Sequence, residues 1–185
     1  CRYGEQMTQN ADLAALVRTI PDYPKPGILF RDVSTLLLDG KGFRTAIDRL
    51  IDSFDPDAVD LIAGIEARGF VVASALSYAL TKGKVMLRKP GKLPGETVGI
   101  DYALEYGTDR IELHKGAVRA GQRVLLVDDL IATGGTALAG IALLRGQGAD
   151  VTEARFLVDL PALGGAAKLA AQSVNAVSLM TFEGD

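Results

Sequence analysis

Val124-Leu125-Leu126-Val127-Asp128-Asp129-Leu130-Ile131-Ala132-Thr133-Gly134-Gly135-Thr136 joins an apolar run, two adjacent carboxylates and a glycine-hydroxyl loop in one continuous stretch. The apolar residues 124–127 fit a strand covered on both faces, as in a parallel sheet, and Gly134-Gly135 stops the strand pattern. A helix follows, carried by Leu138, Ile141, Ala142 and Leu144 and ending near Gly146-Gln147-Gly148. In such a strand-loop-helix unit the loop amides and the first helical amides point at one spot. The helix dipole favours an anion there by ~0.3–1 kcal/mol per charge. Thr133 and Thr136 can add hydroxyl donors, and the glycines let the backbone approach an anion closely. Asp128 and Asp129 would repel phosphate, so their place suits sugar hydroxyls, the water shell of a metal, or a developing cation. A ribose 5-phosphate satisfies both halves of the stretch.

Working outward, 185 residues with 48% hydrophobic content suffice for one globular domain with a full core. Cys1 is the single cysteine, which excludes an internal disulfide and makes a reducing cytoplasm the expected compartment. No Cys/His cluster suggests a bound metal, no apolar run approaches the ~18 residues needed to span a bilayer, and no basic-then-apolar signal peptide is present. Residues 1–6 are patternless and precede Met7, so they are expected to be a cloning remnant. A net charge of −3 speaks against nonspecific binding to nucleic acid or a membrane surface. Any phosphate site must therefore be a local basic cluster.

Upstream, Asn10 is expected to cap a helix through Leu13, Leu16, Val17 and Ile20, ended by Pro21. Pro24 and Pro26-Gly27 lead into an extended Ile28-Leu29-Phe30-Arg31-Asp32, and a second amphipathic helix spans about Gly42 to Phe54. Val59 to Ile65 reads as a strand running into Glu66-Ala67-Arg68-Gly69 and a helix from Phe70 to Leu80. Ligands in open α/β sheets sit at the carboxyl ends of the strands, so this loop and the Asp128 loop can face one crevice, with Arg68 holding a second phosphate. After a short strand Val85 to Leu87, the loop Arg88-Lys89-Pro90-Gly91-Lys92-Leu93-Pro94-Gly95 reads as a moving anion clamp. Thr97 to Tyr106 and Arg110 to Lys115 alternate as two strands about a Gly107-Thr108-Asp109 turn, forming a flap over residues 96–115. His114 is expected to be solvated. Val151 to Leu160 and Val174 to Phe182 are further strands around a small-residue helix, Gly165 to Gln172. The fold class is α/β, with a mainly parallel sheet flanked by helices.

The run Val127 to Thr136 resembles the phosphoribosyl pyrophosphate motif of type I phosphoribosyltransferases. Four more segments, Asp22 to Asp32, Glu66 to Phe70, Arg88 to Gly95 and Leu104-Glu105-Tyr106-Gly107-Thr108, together resemble the adenine phosphoribosyltransferases, a likeness that runs from about Asp12 to the C-terminus. The resemblance implies the type I phosphoribosyltransferase fold, with an N-terminal base-binding hood. It further implies magnesium-dependent transfer of ribose 5-phosphate from phosphoribosyl pyrophosphate to adenine, giving AMP and pyrophosphate, by a cytoplasmic homodimer.

By the same resemblance, Ala132, Thr133, Gly134, Gly135 and Thr136 hold the 5-phosphate and Asp128 and Asp129 the ribose. Glu66, Ala67, Arg68, Arg88, Lys89 and Lys92 attend the pyrophosphate, with a cis peptide expected at Glu66-Ala67. Leu29, Phe30 and Arg31 meet the adenine, Glu105 manages a proton on its imidazole side, and Tyr106 helps close the flap. Magnesium is expected on substrate phosphates and water, without a direct protein ligand. Two rivals are a regulatory protein that only senses phosphoribosyl pyrophosphate and an enzyme for another purine base. The first would need a helix-turn-helix or a basic face, and the segments around Phe30 and Glu105 speak against the second.

Overall fold

The computed structural model describes residues 10–103 and 107–183. In chain order its elements begin with α1 (Ala11–Ala14), β1 (Arg18–Pro21), β2 (Leu29–Asp32), α2 (Ser34–Leu38) and α3 (Gly40–Ile51). There follow β3 (Leu61–Ile65), α4 (Gly69–Leu80), β4 (Gly83–Leu87), β5 (Thr97–Ala103) and β6 (Thr108–His114). The chain continues through β7 (Arg123–Ile131), α5 (Gly135–Gly146), β8 (Asp150–Asp159), α6 (Gly165–Ala171) and β9 (Asn175–Thr181). Five strands pair in parallel in the order β4-β3-β7-β8-β9. Two separate antiparallel hairpins accompany them, β1-β2 as the hood and β5-β6 as the flap.

The apolar run in β7 does what its composition predicts. Val124 and Leu126 pack on one face of the sheet with Ile65, Leu87 and Ile141. Leu125 and Val127 pack on the other with Ile62, Val72 and Leu157. Each such side chain contributes ~1.5–3 kcal/mol when withdrawn from water, so a strand buried on both faces is locked in the middle of the sheet. Ile111 and Leu113 of the flap join the first of these clusters and anchor the flap's foot.

Connectivity then positions the site. From β3 the chain passes to β4 on one side, and by way of the flap it returns to β7 on the other. The strand order therefore reverses between β3 and β7, and a crevice opens outside their carboxyl ends. The loops issuing from these two strands carry Glu66 to Gly69 and Ala132 to Gly134.

Two expectations need correction. The helix expected from Asn10 through Ile20 stops at Ala14, and Arg18 to Pro21 form β1 instead, with Arg18 opposite Asp32 and Pro21 opposite Leu29. Thr19 and Ile20 are β-branched, and the hairpin is locked by an Arg18–Asp32 ion pair at 2.5 Å, so tertiary pairing overrides the helical spacing. Asn10 does not cap α1. Its amide donates to the Leu179 carbonyl at 2.8 Å and its side-chain oxygen accepts from Arg49 at 2.9 Å, tying the N-terminal segment to β9 and α3. In the flap, Thr108 and Asp109 are strand residues opposite Ala103 and Tyr102, because Asp109 is held by the Lys89 ammonium and the Tyr102 hydroxyl. Of the three expected turn residues, only Gly107, at φ 90°, stands ahead of the strand. No described helix is long and apolar enough to cross a membrane.

Candidate active site

The loop after β3 carries a cis peptide between Glu66 and Ala67, as the resemblance implies. Arg68 Nε donates to Asp129 Oδ2 at 2.5 Å, linking this loop to the end of β7. The Glu66 carboxylate accepts from Arg88 Nε at 3.1 Å and from the Lys89 backbone amide at 2.9 Å, which ties the same loop to the start of the basic segment. At Gly69 an added Cβ would stand 2.6 Å from Asp128 Oδ1 and 3.1 Å from both the Asp128 Cα and the Val127 carbonyl. Glycine there lets α4 begin hard against β7. Glu66, Ala67, Arg68, Lys89, Asp128 and Asp129 share a cavity of about 380 Å³.

A larger cavity of about 1050 Å³ adjoins it, with Arg68, Leu130 and Thr136 bordering both. One wall is the hood, Ile28 to Arg31. Another is the glycine-hydroxyl loop with Ala132, Thr133, Gly135 and Thr136, and Leu130, Leu160 and Leu163 supply apolar surface. Gly134 takes φ 81° just before α5, a left-handed turn that glycine adopts without penalty. The first-turn amides of α5 have no intrahelical acceptors and open onto this cavity wall.

Hood and flap close the sides. β2 pairs only with β1, so its outer edge keeps backbone donors and acceptors free of any sheet partner among the described residues. The Arg31 guanidinium is committed elsewhere, to the Thr19 hydroxyl at 2.7 Å, the Glu183 carbonyl at 3.0 Å and the Phe182 ring at 4.8 Å. Phe30 has the Tyr23 ring edge-on at 5.2 Å and the Arg68 guanidinium over its face at 5.7 Å. In the flap the Tyr102 hydroxyl receives hydrogen bonds from Thr136 Oγ1 and Lys89 Nζ, each at 3.3 Å. This latches β5 to both loops.

The structure thus brings together Leu29, Phe30, Arg31, Glu66, Ala67, Arg68, Lys89, Asp128, Asp129 and the 132–136 loop. Arg88 and Lys92 stand outside the cavity walls: Arg88 is spanned between Glu66 and the Lys92 carbonyl, and Lys92 is exposed. Glu105 and Tyr106 lie outside the described residues. Sequence reasoning missed Tyr102, the apolar wall at Leu130, Leu160 and Leu163, and Lys168, whose Nζ donates to the Thr133 carbonyl at 2.9 Å. Lys168 did leave a signal, as the single charged residue in the Gly165–Ala171 helix.

Charge is unevenly shared in the crevice. Burial, and then the charge of neighbouring Asp129, push Asp128 well above the usual carboxylate range, against the pull of Arg68. Burial also works against the charges of Glu66 and Lys89, yet their partners prevail. The Lys89 amide and Arg88 hold Glu66 down, while Asp109 and Tyr102 hold Lys89 up. The result is a carboxylate pair under repulsive stress beside a fixed set of cations.

A Phosphoribosyl transferase domain model matches residues 35–170, well over half of the chain. The adenine phosphoribosyltransferase of Bradyrhizobium diazoefficiens is 56% identical over 178 residues, covering 96% of this chain and 99% of its own. That of Nitrobacter winogradskyi matches at the same identity and coverage. Among solved structures, the adenine phosphoribosyltransferase of Thermoanaerobacter pseudethanolicus aligns at a TM-score of 0.89 and 45% identity, covering 93% of this chain and 99% of that one. The Saccharomyces cerevisiae enzyme, complexed with D-2,5-dideoxy-2,5-imino-altritol 1,6-bisphosphate and adenine, aligns at 0.86 and 36% identity, covering 94% and 99%. Domain match, near-complete overlap with these relatives and shared fold lead to one conclusion: the chain belongs to the phosphoribosyltransferase family, among the adenine phosphoribosyltransferases.

Proposed function

We propose that the chain transfers ribose 5-phosphate from phosphoribosyl pyrophosphate to adenine, giving AMP and pyrophosphate, as an enzyme of purine salvage. The observation that carries this reading is the switch-point crevice, where a cation-bearing loop after β3 meets a carboxylate pair and an amide-rich loop after β7. The amides of Ala132 to Thr136 hold the 5-phosphate. Asp128 and Asp129 take the ribose hydroxyls, and Asp129 keeps its second oxygen for this while the first receives Arg68.

Cleavage of the bond from C1 to pyrophosphate leaves an oxocarbenium-like sugar and a highly charged leaving group. Burial and the Asp129 charge disfavour a negative charge on Asp128, and positive charge growing beside the pair favours it, so the attraction is stronger in the transition state than in the ground state. Arg68 and Lys89 meet the departing pyrophosphate, with Arg88 and Lys92 behind them. No three acidic, histidine or cysteine side chains converge among the described residues. Asp128 and Asp129 are hard oxygen donors at the cavity, and they would face the water shell of a magnesium ion carried by substrate phosphates. When bound, the ion supplies neutralising charge for the leaving group. The base lies in the apolar slot, read by backbone groups of Leu29 and Arg31 with Phe30 beside it. Glu105 handles the proton displaced as the base nitrogen joins C1, and Tyr106 helps the flap close. A single domain over residues 1–185, a homodimer and a cytoplasmic setting complete the reading, supported by the resemblance.

Pyrophosphate release, measured with magnesium, phosphoribosyl pyrophosphate and a panel of purine and pyrimidine bases, tests it. Adenine is expected to give the highest kcat/KM, and binding without turnover on every base would sink the enzyme reading. Glu105→Gln is expected to lower kcat by about 10²–10⁴, the usual worth of general acid-base catalysis, with phosphoribosyl pyrophosphate binding largely intact. Unchanged turnover removes Glu105 from the mechanism.

A further inference from the structure

The phosphate loop is braced by α6, whose Lys168 borders the larger cavity beside it. In a planar trans peptide the carbonyl and the following N–H point in opposite directions. The Ala132 carbonyl accepts from the Gly165 amide at 3.0 Å, the Thr133 carbonyl from Lys168 Nζ at 2.9 Å, and the Gly134 carbonyl from the Leu138 amide at 2.9 Å. Two successive carbonyls, those of Ala132 and Thr133, are therefore turned toward α6, and the third points along α5. The amides of Thr133 and Gly134 are turned away from α6, and neither they nor the Gly135 amide donates to another described residue. Two of the braces come from α6, which approaches so closely that a Cβ on Gly165 would lie 2.4 Å from the Ala132 carbonyl and 2.9 Å from the Gly134 amide nitrogen. Only one of the three braces is a side chain, and it is charged.

We propose that Lys168 is a positioning residue for the 5-phosphate. Its ammonium holds the Thr133 carbonyl so that the Gly134 amide stays aimed into the cradle, and it polarises that peptide into a stronger donor. A charge-assisted bond to a carbonyl is roughly twice as strong as a neutral one, and a preset donor avoids reorganisation when the phosphate arrives. The Leu138 and Gly165 braces are backbone bonds and fix the flanking peptides. Lys168 governs the middle one. This inference rests on the reading that the loop binds a 5-phosphate.

AMP and adenosine share base and ribose and differ only in the phosphate, so their affinities isolate the effect. Calorimetry on the full chain is expected to show Lys168→Met binding AMP about tenfold more weakly, with adenosine affinity and melting temperature unchanged. Lys168→Arg is expected to restore most of the loss. In the ligand-free protein, Lys168→Met is also expected to shift the Gly134 amide resonance. AMP binding at the wild-type level in Lys168→Met overturns the proposal. So does an unmoved Gly134 signal, since Lys168 would then act on the phosphate by charge alone. A wild-type protein that does not prefer AMP over adenosine instead overturns the 5-phosphate reading itself.

Discussion

At the scale of single residues, Asp128 sets chemistry against stability. Burial and the Asp129 charge raise its pKa well above 3.8, so between that value and the raised one the folded protein holds a proton that the unfolded chain has lost. Stability conferred by that proton is present at low pH and declines as pH rises through the raised pKa. The folded protein therefore carries a carboxylate it resists ionising. Asp128→Asn keeps the shape and removes the charge. It is expected to stabilise the free protein by about 0.5–2 kcal/mol, seen as a melting temperature higher by about 2–4 °C per kcal/mol, and to flatten the decline as pH rises above 3.8. Turnover is expected to fall by about 10²–10³, as for other removed transition-state electrostatic contacts. Thermal melts across that pH range and steady-state rates check both halves. A destabilised variant would mean that the attraction of the Asp128 charge to the Asp129 amide and to Arg68 outweighs burial and repulsion.

Among the elements, the hood depends on one buried carboxylate. Asp32 Oδ1 accepts from the Ser34 amide at 2.9 Å and its Oδ2 from Arg18, which lowers its pKa from 3.8 to about 2. That shift corresponds to about 1–2 kcal/mol once the exposure of Arg18 is allowed for. The stabilisation is present above the unfolded value and lost as pH falls toward 2. Asp32→Asn is therefore expected to loosen β1-β2, raise the adenine KM several-fold with a smaller change in kcat, and weaken the acid dependence of stability between pH 4 and 2. Opposite the hood, Gly165→Ala drives a methyl into backbone atoms of the phosphate loop, which flexible side chains cannot absorb. A cost of about 1–3 kcal/mol and a raised phosphoribosyl pyrophosphate KM are expected, with Asp128 and Arg68 undisturbed; denaturant titration and kinetics check these.

The elements also mark what a reader of the chain can and cannot see. Residues 124–127 declare a doubly covered strand because one local property, continuous apolarity, has one structural solution. Leu13, Leu16, Val17 and Ile20 keep helical spacing, yet the helix stops at Ala14 and only Ile20 of the four enters a strand, because its partner Phe30 lies farther along the chain and leaves no local mark. Asp109 resembles a turn residue for the same reason: Lys89, which holds it in β6, is distant in sequence. Polar site residues announce themselves by type and spacing. Leu130, Leu160 and Leu163 look like any core leucines, and only the fold turns them toward a cavity.

For the whole molecule, the reversal of strand order between β3 and β7 brings two loops to one crevice, and this follows from connectivity that each strand-loop-helix unit shows only in part. The same topology divides the molecule by stability. β7 is paired on both sides and buried on both faces, whereas hood and flap are two-stranded sheets with open edges. Their attachments differ as well. The flap's foot is packed through Ile111 and Leu113 and bridged from Arg88 to Glu112, but its far end at Ala103 and Thr108 has exposed residues only. Opening free energies in one protein run from near zero up to the global value. Amide hydrogen exchange without substrate is therefore expected to be at least about a thousandfold slower in β7 than in β1-β2 and the far end of β5-β6, with the foot between them. A ligand at about 100 times its Kd stabilises what it contacts by about 2.7 kcal/mol, or about a hundredfold in exchange. With phosphoribosyl pyrophosphate at that level, slowing is expected in the 132–136 loop and the far end of the flap, and adding an unreactive adenine analogue extends it to β2. Uniform protection across the sheet, or a hood and flap already as protected as β7 in the free protein, would show that the crevice is rigidly preformed and that substrate binding orders neither hairpin.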